Sequence, residues 1–426
     1  MFSFPLLLFW SFGQSNHMRR AVSSAITKIK ARQILDSKGI PTVEVDMYTN
    51  KGMFRAAAPS GDLDKIYERS ELRDGDKGKY LGNSVSKAVR NINEKIAEAL
   101  IGMDPTLQSQ IDHTIMDLDK TESKAINAML AVSMAACKAG AAEKEVLLCK
   151  HIADLSGQSG LILPVPAITV ISGGKHAGNN LAAQEIMILP VGANTFEEAM
   201  QMGSETYYHL KAIILEKYGS IGCNVGEDGG NKYDMDFKSP DKSGQVFKTG
   251  EEMAEMYAQL CTGTILPLVG VFSSRQNAGN SCFSNLFCLS DYPIVSIEDP
   301  FDRNDWLHTK AFTDLGLCQV VGDHLLSSDP KRLERAIDEA SCNGLLLKIN
   351  QVGTVTDAIE VAKQAKDGNW GVVISHRSGE TEDSFIADLA VAPCRGERVA
   401  KYNQLLRIEE ELGEQAVYAG ENWRSP

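Results

Sequence analysis

The stretch GLLLKINQVGT, residues 344–354, decides how the rest of the chain is read. Three leucines and an isoleucine bracket Lys348, and the apolar run gives way to Asn350, Gln351 and Gly353. A lysine inside a buried strand is costly unless it is paired or used. Its ammonium either escapes into solvent at the strand end or has a task there. The pattern recurs, because PIVSIED carries Glu298, CQVVGD Asp323, GLLLKIN Lys348 and GVVISHR His376. The spacings are 25, 25 and 28 residues (298 to 323, 323 to 348, 348 to 376), the length of a strand, loop and helix. In a parallel barrel all the strand ends meet at one face. Two carboxylates, a lysine and a histidine then share one mouth, and the chain reads as an enzyme scaffold.

The 426 residues are 43% hydrophobic and 23% charged, a globular mixture whose length predicts two or three domains. A net charge of −13 gives no support to nucleic-acid or anionic-membrane partners. An anionic substrate is still compatible with it where metal cations reverse the local sign. Nine scattered cysteines without a CxxC pair fit a reduced, cytoplasmic protein. The opening MFSFPLLLFWSFGQSN has an apolar run from Phe2 to Phe12 of the size of a signal-peptide core. No basic residue precedes that run and it is too short to span a bilayer, so residues 1–25 read as a divergent extension.

Residues 28–57 read as an antiparallel β-meander, with Val43, Val45 and Met47 alternating onto one face of TVEVDMYT. A polar loop, PSGDLDK (59–65), leads into helices. Val85, Val89, Ile92, Ile96 and Leu100 mark one helical face, and Ala125 to Ala142 suits a helix buried all round. These elements predict an α+β domain over 26–160, followed by a barrel domain over 161–426 in which strands alternate with helices. One helix is capped at Ser328-Asp329-Pro330 and turns Leu333, Ala336, Ile337 and Ala340 inward. The regularity breaks at 262–290, where Arg275 is the lone charge; only ILPLVGVF (265–272) there looks like a strand.

Eight motifs in this order resemble enolase, the lyase that interconverts 2-phosphoglycerate and phosphoenolpyruvate. They are KARQILDSKGIPTVEVD (30–46), SGGKHAGNNLAAQEIMILP (172–190), NVGEDGG (224–230), VSIEDPFD (295–302), VVGDHLL (320–326), LLLKINQVGTVT (345–356), SHRSGETEDSFIADL (375–389) and APCRGERVAKYNQLLRIEEEL (392–412). The resemblance runs from about Ala21 to the end. It implies an α/β fold: a β-meander-plus-helix domain, then a modified βα barrel, here with segments missing and so incomplete. It also implies a cytoplasmic glycolytic enzyme, Mg²⁺ as cofactor, and a homodimer.

The reaction removes a weakly acidic proton α to a carboxylate, and enolase-superfamily sites answer with a lysine or histidine base and one or two Mg²⁺ ions. By resemblance Lys348 is the base, kept reactive by burial beside cationic groups. The matching general acid is Asp228, although enolases more commonly show a glutamate there. Displacing the donor by one methylene can cost ~10²-fold in rate. Glu298 and Asp323 match two carboxylate ligands of the metal and belong to the substrate-facing set. His176 and Glu185 match substrate-side residues on two loops, and Ser375, His376, Arg377 and Ser378 match the turn that takes the phosphate.

Four departures bear on turnover. The lid loop of the family reads PSGAST, and this chain has Leu63 where the second serine helps hold the second Mg²⁺; Asp62 or Asp64 is an alternative oxygen donor. After Gly230 the segment bearing the third Mg²⁺ carboxylate is missing. A substrate-contacting lysine between Val391 and Ala392 is missing too, a charge contact worth about 2–5 kcal/mol. Finally, His324 replaces the second aspartate of GDDL. Whole blocks are exchanged while flanking motifs stay intact, which suggests altered splicing or gene modelling. The sequence therefore predicts an enolase by descent with low or absent activity. The alternative is a non-catalytic subunit, self-paired or paired with an intact enolase, or a binding protein using the amino domain. A different acid dehydratase of the superfamily is disfavoured by SHRS and GEDGG.

Overall fold

A computed structural model describes residues 24–61, 71–118, 125–158, 160–172, 184–218, 233–234, 247–261, 269–273, 294–390 and 399–424. The alternating residues of 28–57 form the expected meander of β1 (Lys28–Leu35), β2 (Pro41–Thr49) and β3 (Gly52–Ala57), antiparallel throughout. Val43, Val45 and Met47 are fully buried on one face. On the other face Arg32 and Arg55 close over Glu44 and Asp46, so β2 is covered on both sides. The helical stripe forms as Ser86–Asn91, a π turn over Ile92–Ile96, and Ala97–Leu100, with Val85, Ile92 and Leu100 fully buried.

Helices α1 (Gln108–Leu118), α2 (Ile126–Glu143) and α3 (Leu148–Ser156) follow. Helix α2 is buried nearly all round because its small residues let β2, β3, α1 and α3 approach it closely. Its apolar surface continues into the barrel: one core cluster includes Ile126 and Met129 as well as Leu345, Leu347 and Val352. Each such fully buried leucine contributes ~1.5–3 kcal/mol relative to exposure.

The larger sheet has seven strands: β4 (Ile168–Ser172), β5 (Glu185–Leu189), β6 (Val269–Ser273), β7 (Ile294–Glu298), β8 (Gln319–Gly322), β9 (Gly344–Leu347) and β10 (Gly371–Ile374). They lie side by side in chain order. Strands β6 to β10 are mutually parallel, while β5 is antiparallel to both β4 and β6. Right-handed crossovers are expected between parallel strands. Here α4 (Phe196–Tyr218) and α5 (Gly250–Cys261) precede β6, and α6 (Trp306–Thr313), α7 (Pro330–Glu339) and α8 (Val355–Asp367) separate β7 to β10. Among the described residues the outer strands β4 and β10 do not pair, so the barrel is left open, as the missing segments predict.

Two expectations are met and one, the inward placement of Ala340, is corrected. Within 262–290, the strand expected in ILPLVGVF is present as Val269–Ser273, and it sits between β5 and β7. In α7, Asp329 caps the amides of Lys331 and Arg332 and Pro330 opens the helix as predicted. Ala340, however, is an exposed, left-handed residue that ends α7. The final helix, α9 (Val399–Leu412), buries Tyr402, Leu405 and Ile408.

Candidate active site

The sequence placed four titratable groups at strand ends, and the structure lines up those ends. Glu298 is the last residue of β7, Asp323 follows β8, Lys348 follows β9, and Ser375 and His376 follow β10. Since β7 to β10 are adjacent and parallel, all of these residues gather at one edge.

Lys348 Nζ donates to both carboxylate oxygens of Asp323 at 2.6 Å, and both residues are buried. The expectation that Lys348 lies beside cations is therefore incomplete, because its immediate contact is an anion. Its backbone is fixed as well. The Lys348 amide donates to Ser328 Oγ at 3.0 Å, and that hydroxyl donates to Gln351 Oε1 at 2.7 Å.

Asp323 is braced from β7. Asp299 takes a positive φ of 43°, a conformation that aspartate tolerates better than most residues. Its carboxylate accepts from the Asp323 amide at 2.9 Å, the His324 amide at 2.8 Å and His324 Nδ1 at 2.7 Å. His324 Nδ1 also lies 3.0 Å from Asp323 Oδ2. The departure from GDDL thus has a physical sense, since an imidazole at this position can donate to a carboxylate that a second aspartate would repel. Asp299 was missed in the sequence, although it directly follows Glu298 within VSIEDPFD.

Burial pushes the Glu298 carboxyl up to about 8, with the Asp323 charge as the next cause; Lys348 opposes them, and Asp299 and Glu185 add to the rise. Glu185 opens β5 and accepts from Thr169 Oγ1 at 3.2 Å. The register sets residue 273 of β6 opposite Glu298 on one side and opposite Glu185 on the other. That position holds a serine, so the strand that fills the gap brings no carboxylate, as its sequence implies.

Oxygen donors from Glu298 and Asp323 fit a hard divalent cation in kind. A cation between them would offset both the burial and the Asp323 charge that raise the Glu298 carboxyl. Asp299, Asp323 and His324 also bring ligand atoms within 4.8 Å of one another, but Asp299 already accepts three hydrogen bonds.

The turn after β10 is tied in at several points. The Ser375 amide donates to Leu347 O at 2.9 Å, extending the ladder, and Arg377 is buried. The meander domain meets the same segment: Ser37 Oγ donates to Ser378 O at 3.4 Å, and Ser60 and Gly379 form an isolated antiparallel bridge. A Cβ at Gly379 would collide with Ser60 Oγ and Asp36 Oδ2, so a larger residue there would have to displace those side chains. His176, Asp228 and residues 62–65 of the lid loop lie outside the described residues.

Residues 26–152 match the family described as the enolase N-terminal domain, and residues 160–232 and 274–426 match the enolase C-terminal TIM barrel domain. The chain belongs to the enolase family. Cytosolic enolase 3 of Arabidopsis thaliana is 60% identical over 465 aligned residues, covering 96% of this chain and 92% of that relative. Enolases are metal-dependent lyases and typically dimers. The barrel match breaks over 233–273, the interval that contains α5 and β6.

Proposed function

We propose that the mouth at β7 to β10 is the remnant of a 2-phosphoglycerate/phosphoenolpyruvate site, in a cytoplasmic chain whose own turnover is low or absent. The observation that carries this reading is the shared edge holding Glu298, Asp323, Lys348 and the Ser375–Ser378 turn. Under it, Lys348 Nζ, acting as the neutral amine, takes the proton from the carbon α to the substrate carboxylate. Asp323, in contact with Nζ, stabilises the ammonium so formed. Asp228 donates a proton to the departing hydroxide, which leaves as water. Ser375, His376, Arg377 and Ser378 hold the phosphate, with His176 and Glu185 on the substrate side. Glu298 and Asp323 would hold Mg²⁺, which supplies the positive charge that a dianionic intermediate requires.

Three features support low turnover. The third metal carboxylate is missing, position 273 holds serine, and the substrate lysine before Ala392 is absent. A second reading rests on the same features: a non-catalytic chain pairing with itself or with an intact enolase. We retain 26–160 and 161–426 as the two domains. The test is to add 2-phosphoglycerate and millimolar Mg²⁺ and follow the absorbance rise from phosphoenolpyruvate, with calorimetric Mg²⁺ titration alongside. The expected result is weak Mg²⁺ binding and a negligible rise. Tight two-ion binding with turnover like that of an intact enolase would refute the low-activity reading.

A further inference from the structure

The turn at 375–378 is followed by a buried charge pair that no step of the reaction uses. Glu380 is 3% exposed and Lys401, on α9, is 1% exposed. Lys401 Nζ lies 2.8 Å from Glu380 Oε2 and donates to Thr381 O at 2.6 Å. The other carboxylate oxygen, Glu380 Oε1, accepts the backbone amide of Arg377 at 2.8 Å. The Glu380 backbone is held from the meander domain: its amide donates to Ser37 Oγ at 3.1 Å, and its carbonyl accepts the Ser37 amide at 2.8 Å.

A buried ion pair yields little net stability over an apolar pair of similar size. It does impose direction, because a carboxylate held by a cation on one oxygen presents the other at a fixed angle. Here the second oxygen is aimed at the amide of the buried arginine in the phosphate turn. We propose that Glu380, oriented by Lys401, is a positioning residue that sets the Arg377 backbone and hence the turn's grip on phosphate. This rests on the reading of Ser375–Ser378 as the phosphate turn. Neither residue touches substrate; both act through Arg377.

The test uses the full chain with Mg²⁺ and titrates phosphoenolpyruvate by calorimetry. Removing one partner of a buried pair destabilises strongly, whereas neutralising both does not. The decisive variant is therefore Glu380→Gln/Lys401→Met. It should melt close to the parent and keep the parent's Mg²⁺ affinity, yet bind phosphoenolpyruvate about tenfold more weakly. Lys401→Arg should retain the parent's affinity. A double variant that binds phosphoenolpyruvate as the parent does overturns the proposal. The same double variant gives a ligand-free readout: the Arg377 amide should exchange with solvent faster while β9 amides are unchanged, and unchanged Arg377 exchange also overturns it. Arg377→Gln separates the two ideas, since a parent that binds no better than this variant removes the phosphate reading itself, and the proposal with it.

Discussion

The two flanks of the barrel sheet differ in what they keep. On β7 to β10, every strand end carries a residue of the proposed site, and backbone contacts hold Asp323, Lys348 and Ser375 in place. On the other flank, β6 comes from an interval that the family match omits, and its backbone pairs with β5 on one side and β7 on the other. Main-chain hydrogen bonds are indifferent to side chains, so a foreign segment can complete a ladder. A metal site is not indifferent. The comparison separates two requirements that an intact barrel meets together: continuity of the sheet and identity of the residues at its edge.

The largest effect should come from the intact flank. Asp323→Asn leaves the Lys348 ammonium buried without its carboxylate, and we expect a loss of roughly 3 kcal/mol in urea unfolding. An unchanged midpoint would mean that the pair is not formed in solution. Next, Asp299→Ala frees the turn after β8 without removing a proposed ligand. Outer-shell losses of this kind typically weaken metal binding by about 10–100-fold, a drop that Mg²⁺ calorimetry would register. On the altered flank, Ser273→Asp puts a carboxylate at the register position shared by Glu185 and Glu298. It should tighten Mg²⁺ binding by about tenfold, and no change would show that backbone register alone does not define the site.

The smallest effect lies away from both flanks. His151 on α3 is fully buried, and among the described residues neither ring nitrogen has a hydrogen-bond partner. Burial is the main cause that lowers its pKa from 6.5 to about 4, with Lys144 adding to it. The unfolded chain therefore takes up a proton that the folded chain refuses, and stability falls as pH drops from about 6.5 to about 4. His151→Leu should flatten that part of the pH–stability curve, as read from urea midpoints.

Most of this was legible because periodicity and strand-end chemistry are local. The run LLLK already fixes a strand and its terminal charge, and three similar runs at regular spacing fix their parallel neighbours. The Asp329 cap and the buried helix of small residues were equally plain. Contacts made across the chain were not. Asp299 serves the turn that follows β8, some 24 residues on, and Glu380 meets Lys401 only because α9 folds back across the turn. The left-handed end at Ala340 was missed because an alanine gives no sign of terminating a helix. The seat of Val269–Ser273 could be entertained from its apolar run, but its neighbours on either side are a matter of topology.

One junction between the domains bears on how the molecule comes apart. Helix α8 begins just after the Lys348 strand, and three donors of its first turn are met from the other domain. The Thr356 amide and hydroxyl go to Asp112 Oδ2 at 3.0 and 2.6 Å, and the Val355 amide goes to Ser133 Oγ at 2.9 Å. A barrel cut free of its partner would begin that helix with orphaned amides. Calorimetric melting should accordingly show a single endotherm for the whole chain, and neither half expressed alone should inherit its midpoint.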